Sequence, residues 1–155
     1  MMRREGQRTM AMFRPDILIQ SPEDLPIAVV EVKNRQDLTR EVATVLRRNI
    51  ITHSLLPQTP YFLLISQDVG FLWKAAGPDA PPTYKFPMDR VVTRYLQREP
   101  GERLYGIELE FLVLQWLNDL ASGRLNASEE PEKTLALAGF NDSIREATIT
   151  IEEAA

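Results

Sequence analysis

The sequence contains no cysteine and a single histidine, His53, among its 155 residues. The absence of cysteine excludes disulfide bonds, thiolate metal sites and a cysteine nucleophile. Nothing around His53 suggests a Ser-His-Asp arrangement. A lone histidine near the end of a predicted helix is typical of an exposed or core-filling residue rather than of a catalytic one.

The chain also lacks a surplus of positive charge and a long apolar run. It has 18 Lys and Arg against 22 Asp and Glu, a net charge of −4. This balance disfavours strong, sequence-independent DNA binding, which depends on Lys and Arg that neutralise phosphates. A local basic groove is still compatible with this net charge. No stretch approaches the roughly 20 apolar residues of a membrane span, and residues 1–12 lack the apolar run of a signal peptide. We therefore expect a cytoplasmic protein without membrane contact.

Length and composition are those of an ordinary globular domain. The 155 residues are 44% hydrophobic and 26% charged, which suits a single domain with one core. We expect one domain over residues 1–155, with its core at about residues 10–75 and a C-terminal helical extension at residues 88–155.

Two apolar, β-branched runs near the start of the chain predict a β-hairpin. Residues 11–20 and 27–33 have the composition of strands, and the polar residues between them include two prolines and predict a turn. A hairpin centred between Glu23 and Asp24 sets three pairs of residues opposite each other. The pairs are Asp16 with Glu31, Leu18 with Val29, and Gln20 with Ile27.

The predicted register brings charged residues together at one end of the hairpin. Side chains on a strand alternate between faces, so Glu31 and Lys33 share a face with Asp16. Two carboxylates directly opposite each other destabilise a sheet, and a divalent cation between them removes that cost. The pattern therefore predicts a site for metal-assisted hydrolysis. The alternative is a solvated strand end with a surface pair between Glu31 and Lys33.

The motif resembles that of a known nuclease family. Pro15-Asp16, a gap of fourteen residues, and then Glu31-Val32-Lys33 look like the PD-(D/E)XK nuclease superfamily, which has the restriction-endonuclease-like fold. The resemblance covers roughly residues 10–75. It implies that Asp16, Glu31 and the Val32 carbonyl bind Mg²⁺ (or Mn²⁺), and that Lys33 acts on the attacking water.

The resemblance also implies a further acidic residue upstream of the hairpin. Glu5 is the only acidic residue that precedes Asp16, so it is the candidate for an additional metal ligand. Without Glu5, the ligands would be Asp16, Glu31 and the Val32 carbonyl, with water completing the octahedron.

Polar residues that follow the motif are candidates for nucleic-acid binding. Asn34, Arg35 and Gln36 come directly after Lys33, at the end of the predicted strand. Arginines in the next helix could bind phosphates through bidentate hydrogen bonds, or could belong to a solvated helix face that pairs with acidic residues. These arginines are Arg40, Arg47 and Arg48.

The remaining pattern predicts an α/β fold with a mixed central sheet of about four or five strands flanked by helices, restriction-endonuclease-like. A helix is expected at residues 37–56, with Asp37 as N-cap. Trp73 and Trp116 stand at apolar positions, which favours the core. The other expected elements are strands at residues 61–66, 71–74 and 147–152, a loop at residues 75–87, and helices at residues 88–98, 107–120 and 133–145.

The helix Ile107–Leu120 is apolar around most of its circumference. A helix of this kind is enclosed by its own chain or shared with a partner. We therefore expect a homodimer, or a complex with another protein, through Ile107–Leu120. The competing interpretation is that the segment Lys133–Ile151 covers the helix within the chain.

Two functions follow from these patterns. The first is an enzyme, a Mg²⁺-dependent nuclease that hydrolyses DNA phosphodiester bonds with a metal-activated water. The second is a nuclease-fold module that does not cut and that serves in binding or assembly. The complete set of Asp16, Glu31 and Lys33 favours the enzyme, and the acidic net charge favours the module.

Overall fold

The computed structural model describes residues 15–99 and 102–152. In this part of the chain, six strands form one sheet. Their bounds are β1 (Ile17–Gln20), β2 (Pro26–Val32), β3 (Tyr61–Ile65), β4 (Val69–Lys74), β5 (Tyr84–Pro87) and β6 (Thr148–Ile151).

The sheet is mixed, with the strand order β5-β4-β3-β2-β1-β6. Strands β2 and β3 are parallel, and every other neighbouring pair is antiparallel. The α/β class predicted from the sequence is confirmed, but the expected four or five strands are six. The additional strand is β5, which lies inside the predicted loop 75–87 and pairs with β4.

Strand β3 lies in the middle of the sheet and is buried along its whole length. Its five residues, Tyr61–Ile65, are the apolar run that predicted a central strand, because a strand covered on both faces needs apolar side chains on both. Strand β6 is at an edge, and its exposure alternates from residue to residue, as its sequence predicted.

In the described part of the chain, five helices cover the two faces of the sheet. Helix α1 packs on one face, and the other four pack on the opposite face. Within residues 15–99 and 102–152, no helix combines the length and apolar character needed to cross a membrane. The helices are α1 (Arg40–Thr52), α2 (Asp89–Leu96), α3 (Gly106–Ala121), α4 (Glu132–Leu137) and α5 (Phe140–Ser143).

Helix α1 begins later than its sequence predicted. Thr39 is the N-cap, and its hydroxyl oxygen accepts a hydrogen bond from the N–H of Val42 at 3.1 Å. Asp37, the predicted cap, instead forms an ion pair with Arg35 at 3.0 Å. The prediction was wrong because both residues are good cap formers, and the arginine two positions before Asp37 takes its carboxylate.

The predicted helix over residues 133–145 is two short helices. Gly139 separates α4 from α5 and has a φ of 78°, a left-handed conformation that favours glycine. A Cβ atom at this position would lie 3.2 Å from the Tyr61 hydroxyl oxygen. The break brings Phe140 into the core, where its ring packs edge-on against Tyr61.

The chain itself covers most of the apolar surface of α3. The side chains of Leu135 and Phe140, from α4 and α5, belong to the same core as α3. Ile107 remains 58% exposed and Phe111 56% exposed. Of the large apolar residues of this helix, the buried ones are Leu109, Leu112, Val113, Trp116, Leu117 and Leu120.

Candidate functional site

The candidate site lies at the open end of the β1–β2 hairpin, and the predicted register holds there. Leu18 pairs with Val29, and Ile17 with Val30. Continued by one residue, this register sets Asp16 opposite Glu31. The prediction fails only near the turn, where a β-bulge after Ile19 shifts Gln20 to Pro26 instead of Ile27.

Asp16 and Glu31 each accept a hydrogen bond through the side chain from a backbone N–H of the opposite chain segment. The N–H of Asp16 donates to Oε2 of Glu31 at 3.0 Å. The N–H of Val32 donates to Oδ2 of Asp16 at 2.7 Å. In this register Val32 stands opposite Pro15, which has no N–H to give to the Val32 carbonyl. The two carboxylates therefore stabilise the end of the hairpin, where the regular backbone hydrogen bonds between β1 and β2 stop.

Glu31 is completely buried, and one of its oxygens has no partner. Its relative exposure is 0%, and Oε1 makes no hydrogen bond among the described residues. A buried carboxylate oxygen without a partner costs free energy, because it has lost its hydration without replacement. This oxygen is an available ligand for a hard cation.

The pKa values of both carboxyl groups reflect this burial. Desolvation, followed by the adjacent charge of Asp16, raises the pKa of Glu31 to about 8. Desolvation also raises the pKa of Asp16, although its hydrogen bond from Val32 and the charge of Lys33 act in the opposite direction. A buried and a half-buried acid with raised pKa values at one place are typical of functional sites.

Lys33 supplies positive charge at the same end of the hairpin. Its N–H donates to the carbonyl of Ile65 at 2.8 Å, which continues the pairing of β2 with β3 beyond the end of β2. Its ammonium lowers the pKa of both Asp16 and Glu31. Among the described residues, no ion pair within 4 Å joins Lys33 to either carboxylate.

A third carboxylate, Glu110 of α3, stands near the pair and was not predicted. Helix α3 packs against β2. Burial and then the charge of Asp16 raise the pKa of Glu110, and Glu110 in turn contributes to the raised pKa of Glu31. The available signal was an acidic residue within the apolar helix Ile107–Leu120. Only the packing of that helix shows which strands it approaches.

Three of the four polar candidates near the end of β2 make contacts within the protein. The side chain of Asn34 donates to the carbonyl of Leu104 at 2.8 Å. Arg35 pairs with Asp37, and Gln36 is exposed. Arg40 donates to the carbonyl of Pro82 at 3.0 Å. All four lie between the end of β2 and the first turn of α1, and their role in binding nucleic acid remains a prediction.

The other candidates are divided between surface and core. Arg48 and His53 are exposed. Arg47 is only 5% exposed, so its predicted place on a solvated helix face was wrong. Rings on β3 and β4 enclose its guanidinium, and such neighbours cannot be read from helix periodicity. Glu5 lies outside the described residues. Trp73 and Trp116 are in the core, as predicted.

Asp16, Glu31 and the Val32 carbonyl offer oxygen atoms of the kind that a divalent cation prefers. Within the described parts of the chain, no three His, Asp or Glu side chains are grouped closely enough to hold a metal ion by themselves. Comparisons with protein-family models, with curated proteins and with solved structures gave no match.

Proposed function

We propose that the protein is a Mg²⁺-dependent nuclease that hydrolyses phosphodiester bonds of DNA. The observation that carries the proposal is the burial of Glu31 opposite Asp16, with one carboxylate oxygen unpartnered. Two acids of like charge destabilise a hairpin end that a cation would stabilise. DNA is proposed because the motif Pro15-Asp16 and Glu31-Val32-Lys33 resembles that of the nuclease superfamily.

Each residue of the motif has a defined role in this proposal. Asp16, Glu31 and the Val32 carbonyl would hold Mg²⁺ or Mn²⁺. Bound there, the ion would polarise a phosphate oxygen and lower the pKa of the attacking water. Lys33, on the same face of the hairpin, would orient that water through Nζ.

A second function, a nuclease-fold module that binds or assembles without cutting, is favoured by a specific observation. Each carboxylate of the pair already accepts a backbone N–H from the opposite strand. With a pKa of about 8, Glu31 is largely protonated at neutral pH, and a neutral acid needs no cation. In this function Asp16 and Glu31 only stabilise the end of the hairpin through these hydrogen bonds.

Association with a second copy or another protein is proposed through the exposed part of α3. Ile107 and Phe111 are four residues apart and therefore lie on one side of the helix. Both are more than half exposed. Tyr105, immediately before the helix, is 78% exposed and extends this apolar surface.

Cleavage of plasmid and single-stranded DNA in Mg²⁺ or Mn²⁺ separates the two functions. We expect the wild-type protein to cut at least one substrate, and Lys33→Met to lose cleavage while it still binds the metal. Lys85→Met, on the exposed part of β5, is the matched control and should cut like the wild type. Equal cleavage by Lys33→Met and the wild type would show that the activity arises elsewhere. No cleavage by the wild type, with metal binding intact, would favour the binding module.

A further inference from the structure

A pocket of about 380 Å³ lies apart from the carboxylate pair, beside the C-terminal end of α1. Its walls come from α1 and the segment that follows it, from β2 and β3, and from the loop after β4. This volume is within the range of small-molecule sites. Most of the lining residues are apolar, three are neutral and polar, and one, Arg47, is charged.

Arg47 is held in this wall with part of its hydrogen-bonding capacity unused. Nη1 donates to the carbonyl of Gly77 at 2.7 Å, and Nη2 donates to the carbonyl of Ala76 at 3.0 Å. The Nε–H is buried without a partner among the described residues. A guanidinium has five N–H donors, so these two bonds leave donors on both Nη atoms available.

Two aromatic rings fix the guanidinium plane. The Arg47 Cζ atom lies 5.4 Å from the ring centroid of Phe62 and 5.1 Å from that of Trp73. Such cation–π contacts stabilise a buried arginine by about 0.5–2 kcal/mol each. They also hold the donor fork in one orientation, which lowers the entropy lost when an anion binds.

The positive charge of Arg47 has no anionic counterpart in the described part of the chain. No carboxylate lies within 4 Å of its guanidinium, and no residue lining the pocket is acidic. Burial alone lowers the pKa of Arg47, without a compensating charge. A buried cation raises the free energy of the folded protein unless it is paired. An anion bound in this pocket would lower that free energy.

The competing explanation gives Arg47 a purely structural role. Its bonds to Ala76 and Gly77 attach the loop after β4 to α1. That role explains the two carbonyl contacts, but it requires neither an apolar pocket next to the guanidinium nor a buried Nε–H without a partner. A bound anion explains why a cation without an acidic partner lines an apolar pocket.

We propose that this pocket binds a small organic monocarboxylate with an apolar body. The carboxylate accepts hydrogen bonds from the guanidinium of Arg47, and the apolar body packs against Phe62, Ile51 and Leu56. A charged head with an apolar body matches a lining that offers one cation and many apolar side chains.

Three probes titrated into the full chain test the proposal: hexanoate, hexan-1-ol and acetate. Hexanoate carries both features, hexan-1-ol lacks the charge, and acetate lacks the apolar body. We expect hexanoate to shift the amide resonances of Ser54, Gln58 and Ala76, with an affinity at least about tenfold above that of either other probe. No shift at these residues at saturating probe concentration, or equal affinity for all three probes, would overturn the proposal.

Three variants separate the pocket from a nonspecific effect. Arg47→Met should weaken hexanoate binding about tenfold or more, because it removes the charge-assisted hydrogen bonds. Arg48→Met, at the adjacent exposed position, should bind as the wild type does. Ser54→Trp should fill the pocket, leave Arg47 in place and weaken hexanoate binding. This variant tests the site if Arg47→Met does not fold. Unchanged binding by Ser54→Trp would contradict the assigned site.

Discussion

The main-chain N–H of Asp16 donates to the buried carboxylate of Glu31 across 3.0 Å, at the point where the pairing of β1 with β2 ends. The other oxygen of Glu31 has no partner among the described residues. One oxygen therefore contributes to the fold, and the other is available to a ligand.

Glu31 should make the stability of the metal-free protein depend on pH. Its pKa is about 8 in the folded state and about 4.3 when unfolded. Below the pKa of the unfolded chain, Glu31 is protonated in both the folded and the unfolded protein. As the pH rises toward the folded pKa, only the unfolded chain releases the proton, so stability falls. We expect a loss on the order of a few kcal/mol between about pH 5 and pH 8 in urea unfolding with EDTA.

The variant Glu31→Gln should remove most of that pH dependence. Its amide oxygen can still accept from the N–H of Asp16, but the side chain does not titrate. Glu23→Gln, in the exposed turn of the hairpin, is the matched control and should retain the wild-type slope. A wild-type slope in Glu31→Gln would mean that another group is responsible.

Asp16→Asn should have opposite effects with and without Mg²⁺. In EDTA, at a pH above the pKa of Glu31 where both carboxyl groups are ionised, we expect a higher melting temperature, because one of two facing charges is removed while the hydrogen bond from Val32 can persist. In about 10 mM Mg²⁺ we expect a lower melting temperature than that of the wild type, which gains RT ln(1 + [L]/Kd) from binding. Asp79→Asn, in the exposed loop after β4, is the control. An equal shift in both buffers would identify Asp16 as a plain structural residue.

Phe111→Glu should weaken self-association of the chain. Phe111 is 56% exposed, so a charge there disturbs an interface more than it disturbs the core. Leu137→Glu, at a position that is 70% exposed on α4, is the matched control. Sedimentation equilibrium at about 100 μM protein should show a wild-type dimer and a Phe111→Glu monomer. A wild-type monomer would rule out the homodimer.

Gly70→Ala should destabilise the fold. A Cβ atom at Gly70 would overlap the ring of Phe86 on the neighbouring strand β5. Overpacking of this kind costs about 1–3 kcal/mol or more. Gly77→Ala meets no atom within 4 Å and should be close to neutral. Chemical denaturation of the two variants checks the pairing of β4 with β5, and equal stability would contradict it.

The hairpin and the central strand could be predicted because their signals are local. Alternating apolar residues and a proline-containing turn determine a register, and that register sets Asp16 opposite Glu31. The apolar run Tyr61–Ile65 predicts a strand in the middle of a sheet for the same kind of reason.

The parts that sequence did not predict depend on contacts distant along the chain. Strand Tyr84–Pro87 is short and ends in proline, so only its pairing with β4 identifies it. Glu110 approaches Asp16 because α3 packs on β2, which no periodicity shows. Arg47 resembles a surface residue of a helix until the rings of Phe62 and Trp73 enclose it.

Calorimetric titration of Mg²⁺ or Mn²⁺ into the wild-type protein and Glu31→Gln tests the metal site most directly. Near pH 8 we expect the wild type to bind one ion. At lower pH its affinity should be weaker, because the ion competes with the proton on Glu31. Glu31→Gln should bind at least about tenfold more weakly. An absence of binding by the wild type, or equal binding by the variant, would contradict a metal site formed by Asp16 and Glu31.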